Sequence, residues 1–334
     1  MKKKLIATIL TLVIAAGGTL FYILQQNSYD MVEKTIQIET PQGALSGTLA
    51  LPKGETGKLG LVLFIHGDGS INASHNDGYK PLWERLAALG YASLSLDKRG
   101  IGGSEGNWLQ QSINDRVEEA RQALAWAKTQ PMIDDNRIGV WGASQAGWVI
   151  PKLAGKEQLA FSILVSPAIN WLTQGEYNTR SQMEKDGYGK AEIESQVAYE
   201  KEVKELLLSG ATYAIYAAIS HKGEPMTEER WSFVQKNVRS DATLDLANFQ
   251  TPVLLLLGEK DIHVNVEETE AVYRATIPSS LLSVEVFPDT EHSMLSIKTA
   301  DSELRAWSLS LFQPRNITVK GYMDAIEQFL KEGL

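Results

Sequence analysis

The sequence predicts an α/β fold, a mostly parallel sheet with flanking helices, and three observations carry that reading. From Leu59 onward, short apolar runs alternate with stretches of helical spacing, as parallel strands joined by crossover helices do. Runs such as residues 59–65 and 252–257 lack polar side chains at every position, as expected of strands covered on both faces. Between residues 168 and 249 the alternation stops and only helical patterns remain, which marks a helical insertion.

The N-terminus stands apart from this pattern. Lys2, Lys3 and Lys4 precede an uncharged run from Leu5 to Leu24, long enough to cross a bilayer core. The basic cluster stays inside and the remainder is exported. Ala15-Ala16-Gly17 resembles a signal-peptidase site, yet the apolar run resumes beyond it, so residues 1–24 read as an uncleaved signal anchor rather than a signal peptide. Membrane contact is therefore assigned to residues 5–24; cleavage would make the protein secreted. A polar linker, residues 25–31, follows.

Next in order, residues 35–40 and 44–51 read as a hairpin around Pro41-Gln42-Gly43. Then come a strand (59–65), a helix (81–88), a strand (91–96), a helix (115–130), a turn at Asp134-Asp135-Asn136, and a strand reaching Ala143. A helix (148–153) and a strand (161–165) complete this half. The insertion contains helices over 191–208, 211–219 and 227–238. A strand (252–257), a helix (266–275), a strand (281–287) and a closing helix (319–330) end the chain. The domains are thus 1–24, a core of 32–168 and 249–334, and a helical lid of 169–248.

Composition excludes several functions. The 334 residues are 43% hydrophobic and 22% charged, ordinary values for a globular protein with ample core. A net charge of -9 without a clustered basic face argues against nucleic acid. The absence of cysteine removes disulfides, thiol nucleophiles and thiolate metal sites. No cofactor and no metal is expected, and the oligomeric state is left open.

Chemistry concentrates at loops that follow strands, where ligands of parallel sheets bind. Gly142-Ala143-Ser144-Gln145-Ala146-Gly147 places Ser144 at a sharp strand-to-helix turn flanked by small residues. A serine nucleophile needs a base, and the base needs a carboxylate. Among the five histidines, His66 precedes the nucleophile in a turn where a backbone role fits better. His75 and His221 fall outside the expected order, and His263 is too close in sequence to Asp261. His292 remains. Asp261, just beyond its strand, is preferred to Glu259 and to Asp289, which shapes the histidine loop. Backbone N–H groups of Asp68 and Gln145 would form an oxyanion hole, with no part required of the Asp68 side chain. The insertion's aromatic residues, Trp171, Tyr177 and Trp231 among them, are expected to wall the substrate.

These residues resemble the α/β-hydrolase superfamily. Its nucleophile elbow is matched by Gly142 to Gly147, with Ala146 at the second glycine position, and its oxyanion turn by His66-Gly67-Asp68-Gly69. Asp97-Lys98-Arg99-Gly100-Ile101-Gly102-Gly103-Ser104 and Gly258-Glu259-Lys260-Asp261 are similar to two further loops of the superfamily. The serine–glutamine elbow looks most like the branch of bacterial esterases, acyl-CoA thioesterases and prolyl-oligopeptidase-type peptidases. The resemblance implies an α/β-hydrolase fold and a serine hydrolase acting on a small-molecule carboxylic ester. A peptidase, an acyl-thioester hydrolase or acyltransferase, and a non-catalytic receptor are the alternatives.

Overall fold

The computed structural model describes residues 2–54, 57–220 and 225–332. Helix α1 (Lys2–Gln26) precedes a hairpin of β1 (Met31–Ile38) and β2 (Leu45–Pro52). Next come β3 (Leu59–Ile65), α2 (Lys80–Ala88), β4 (Tyr91–Leu96), α3 (Ile113–Lys128), β5 (Ile133–Ala143), α4 (Ala146–Ala154) and β6 (Ser162–Val165). The insertion supplies α5 (Trp171–Lys185), α6 (Lys190–Ser209), α7 (Tyr213–Ile219) and α8 (Glu228–Asn237). Then β7 (Val253–Gly258), α9 (Val266–Thr276), β8 (Leu282–Phe287), α10 (Ile297–Ala300), α11 (Glu303–Phe312) and α12 (Tyr322–Glu332) complete the chain.

The strands form one sheet in the order β1-β2-β4-β3-β5-β6-β7-β8. Strand β2 runs antiparallel to β1 and β4, and every pairing from β4 to β8 is parallel. The apolar run of β3 is explained by its position: it is buried at all seven residues. Alternate side chains enter different cores. Leu61, Leu63 and Ile65 share a core with residues of α3, α4 and α9, whereas Val62 and Phe64 share one with residues of α2 and α12. Chain order reverses at β3, so the loops after β3 and β5 flank a crevice at the carboxyl ends.

Three details depart from the sequence reading. The Asp134–Asn136 segment lies within β5 as an irregularity, since Leu59 pairs with Ile133 while Leu61 pairs with Ile138. Helices α5 and α11 were not anticipated; neither has a single buried residue, so no core-facing stripe marks either in the sequence. The insertion packs its own core around Tyr216, Trp231, Phe233 and Val234. Helix α1 is apolar and unburied, a candidate membrane span by length and composition.

Candidate active site

Ser144 follows β5 with φ of +54°, a left-handed conformation that costs a non-glycine residue about 1–3 kcal/mol. Surrounding backbone holds it there. The Ser144 N–H donates to Val165 O at 3.0 Å, and Ser144 O accepts from Gly147 N and Ala168 N, both at 2.9 Å. A Cβ on Gly142 would stand 2.6 Å from that of Ala146, and one on Gly147 would stand 2.5 Å from Ala168 O. This explains the alanine at position 146: its methyl group uses the space left by Gly142, and the close approach to the neighbouring loop falls to Gly147.

His292 and Asp261 meet across the loops after β8 and β7. His292 Nδ1 lies 2.7 Å from Asp261 Oδ2. The other carboxylate oxygen accepts from His263 N at 2.7 Å and Val264 N at 3.0 Å, so the acid is oriented by its own loop and is 2% exposed. Glu259 instead accepts from Asp289 N at 3.1 Å and ties the acid and histidine loops together. Ser144 and His292 line one cavity of about 870 Å³, and no hydrogen bond joins them in this structure. Such contacts commonly tighten only when substrate is bound. His263 stacks edge-on against His292 with ring centroids 5.1 Å apart, and burial lowers its pKa. His221 lies outside the described residues.

The turn expected to supply the oxyanion donors is held more elaborately than the sequence suggests. Asp68 and Gln145 both line the cavity beside Ser144, and Gly67 is so close that a Cβ would sit 3.3 Å from that of Ser144. Arg116 on α3 is buried; it donates to Gln145 Oε1 and, at 2.5 Å, to His66 O. Lys98 donates to Gly67 O at 2.7 Å and Gly69 O at 2.9 Å, and burial pulls its pKa well down. His66 does have a side-chain role: Nε2 bonds Leu96 O at 2.6 Å and Nδ1 meets the Tyr79 hydroxyl at 3.2 Å. Burial lowers its pKa to about 3, so it stays neutral.

The Asp68 side chain also participates, contrary to expectation. Arg230 of α8 donates to its two oxygens at 3.1 and 2.5 Å, and Gln145 Nε2 donates at 3.3 Å. Burial acts to raise the Asp68 pKa, but the Arg230 hydrogen bonds and charge outweigh it, and the carboxyl is lowered overall. Arg116, Lys98 and Arg230 escape sequence reasoning because a surface cation and a buried one look alike in a chain. Their only signal was position: Lys98 lies in the glycine-rich loop and Arg116 on the face of α3 that carries Val117 and Ala120.

The three aromatic residues expected to wall the substrate separate in space. Trp171 lines the cavity, stacked on Trp148 at 4.9 Å and 14°. Tyr177 is a support, donating its hydroxyl to Asp261 O at 2.8 Å. Trp231 corrects the expectation: it is 2% exposed, stacks on Tyr216 at 4.4 Å, donates to Ala211 O, and does not line the cavity. Its α8 position turns the ring towards α6 and α7, where the insertion needs an apolar centre.

A parallel sheet with an antiparallel hairpin at one edge, a strained serine between β5 and α4, and an acid–histidine pair after β7 and β8 together define an α/β hydrolase. Residues 57–297 match the model of the serine aminopeptidase S33 family, and the chain belongs to that family. Dipeptidyl-peptidase 5 of Porphyromonas gingivalis is 22% identical over 251 residues, covering 73% of this chain and 32% of that protein. The chain spans about a third of the length of the curated relatives it matches. Among solved structures, an esterase of Pyrococcus furiosus aligns with a TM-score of 0.55 at 19% identity, covering 90% of this chain and 91% of its own. An esterase of Pyrobaculum calidifontis aligns with a TM-score of 0.57 at 17% identity, covering 94% and 90%. The protein is a hydrolase of the α/β-hydrolase fold with esterase and peptidase relatives.

Proposed function

We propose that the protein is an exported, membrane-anchored serine hydrolase that cleaves carboxylic esters. The reading rests on one arrangement above all: Ser144 at a positive-φ apex shares a cavity with His292, whose other ring nitrogen is held 2.7 Å from buried Asp261. His292 Nε2 takes the Ser144 proton as Oγ attacks the ester carbonyl. Asp261 orients the imidazole and stabilises its cation. The N–H groups of Asp68 and Gln145 receive the oxyanion. Collapse expels the alcohol with the proton from His292, and water then repeats the sequence to release the acid. The wall formed by Trp148, Trp171 and Val165 suits an acyl chain or an apolar alcohol. The apolar α1 and the lysines ahead of it support anchoring with the hydrolase outside.

Membership in a family described as aminopeptidases favours a second reading, peptide hydrolysis by the same residues. One experiment addresses both. The purified full chain is labelled with a fluorophosphonate, the modified serine is mapped, and p-nitrophenyl esters of several chain lengths are compared with dipeptide p-nitroanilides. Label on Ser144 with faster ester turnover is expected. Label on Ser104 or Ser166 would overturn the nucleophile, and faster anilide turnover would replace the esterase reading with the peptidase one.

A further inference from the structure

Beyond its reacting end, the cavity has a second region with no assigned role. It runs from Ser144 past Met294 and Ile317 to Ser310, Asn27 and Tyr29. Asn27 and Tyr29 lie immediately after α1, and Ser310 lies on α11, so the cavity reaches the junction between the apolar N-terminal helix and the hydrolase.

That junction is fixed rather than loose. Residues 27–30 alone separate α1 from β1, a span of about 14 Å at most when fully extended. Asn27 Nδ2 donates to Leu311 O at 2.8 Å. Arg315 donates to Gln26 O at 2.6 Å and Ser28 O at 2.8 Å, pairs with Glu84 at 2.6 Å, and lies over the Tyr29 ring. The C-terminal end of α1 is thus capped by the body of the protein, with α11 beside it.

Helix α11 is unusual for its surface. Leu304 and Trp307 are 74% and 60% exposed, and their spacing puts them on one face together with Leu311. A tryptophan beside leucines at the outer end of a bilayer-length helix has the composition of a membrane-interface contact. We propose that α11 lies in the bilayer interface beside α1, and that the cavity takes an ester whose acyl chain resides in the bilayer. The substrate part rests on the ester reading above; the position of α11 does not. In this arrangement the chain enters at the α1–α11 junction and runs along Ile317 and Met294 to Ser144 without passing through water.

Because the chain has no cysteine, single labels can be placed on the full protein reconstituted in phosphatidylcholine–phosphatidylglycerol vesicles. Leu304→Cys, Trp307→Cys and, as a reference on the insertion side, Leu244→Cys each carry a polarity-sensitive fluorophore, with nitroxide lipids as quencher. Leu244 is 87% exposed and apolar, and it lies in the turn that follows α8 of the insertion. Quenching several-fold stronger at 304 and 307 than at 244 is expected; equal quenching at all three overturns the placement of α11. In parallel, Leu304→Glu and Trp307→Glu are assayed on a long-chain ester held in the vesicles and on a short water-soluble ester. Each variant should lose about tenfold on the vesicle ester, as expected for one apolar side chain withdrawn from the interface, with soluble-ester turnover unchanged. Equal effects on both esters overturn membrane delivery. If the wild type cleaves neither ester, the ester reading and the substrate part fail together, while the quenching still decides the location of α11.

Discussion

The two sides of the cavity are held by different physics. On the sheet side, Ser144 sits in a framework that tolerates no added atom at Gly142 or Gly147, and Arg116 locks Gln145 to the oxyanion turn from within the core. On the insertion side, α5 has no buried residue. It reaches the site through polar contacts, Tyr177 to Asp261 O at 2.8 Å and Asn178 to Ile262 O at 3.1 Å, and through one stacked ring pair. Close packing changes only at high cost, whereas half-exposed polar contacts change cheaply. On the proposed reading, the reacting atoms belong to the part that resists substitution, and selectivity to the part that permits it.

The strongest way to break this contrast is to change the sheet side without moving it. Asp261→Asn keeps an acceptor for His263 N and Val264 N but no longer holds the correct imidazole tautomer. Turnover should fall on the order of 10⁴-fold with melting temperature nearly unchanged, as steady-state kinetics and calorimetry would show. A mild loss would mean that another carboxylate orients His292.

Trp231→Ala and Trp171→Ala test the insertion against itself. Removing Trp231 should cost about 3–5 kcal/mol of stability and leave ester chain-length preference alone, because the ring fills the insertion's own core. Removing Trp171 should shift discrimination between ester lengths by about 1–3 kcal/mol. Denaturant unfolding and a panel of p-nitrophenyl esters separate the two, and a reversal would exchange wall and core.

His66 gives the sheet side a pH signature. Its folded pKa is lowered to about 3, so below the unfolded value of about 6.5 the unfolded chain binds a proton that the native one refuses. This stability is fully present above the unfolded pKa and is lost as pH falls towards the folded one. Going from pH 7 to 5 should remove about 2 kcal/mol. Equal pH slopes for wild type and His66→Gln in urea melts would show that His66 does not carry the effect.

The smallest effect is expected where the two sides touch. Arg230→Ala should cost less than about 1 kcal/mol of stability, since both partners are about one-third exposed. Turnover should fall about tenfold, less than the 10²–10³ expected for outright loss of an oxyanion donor. Partial recovery in Arg230→Lys would separate positioning of Asp68 from a packing role for the arginine.

Legibility in the sequence follows the same division. Continuous apolar strands, the small residues around Ser144, and loop residues at strand ends carry their reasons locally, so the sheet and the positions of Ser144, Asp261 and His292 could be read from them. The leucine–serine alternation of α11 and the polar run of α5 carry no helical stripe, because nothing in the protein covers those helices completely. Trp231 and Trp171 look alike in sequence; only the turn of α8 relative to α6 decides which is core. Arg116 was hidden for the opposite reason, as burial of a charge depends on partners scattered through the chain, here Gln145 and His66.

Asp68 lines the cavity, and its carboxylate meets Arg230 of α8. Any outward displacement of α8 would stretch the Arg230 bonds, at 3.1 and 2.5 Å. Under the ester reading proposed above, displacing α8 would release the Asp68 carboxylate from Arg230, so that the oxyanion donor would be set only with α8 in place. Salt would act on that contact directly, because an ion pair whose partners are about one-third exposed weakens as ionic strength rises.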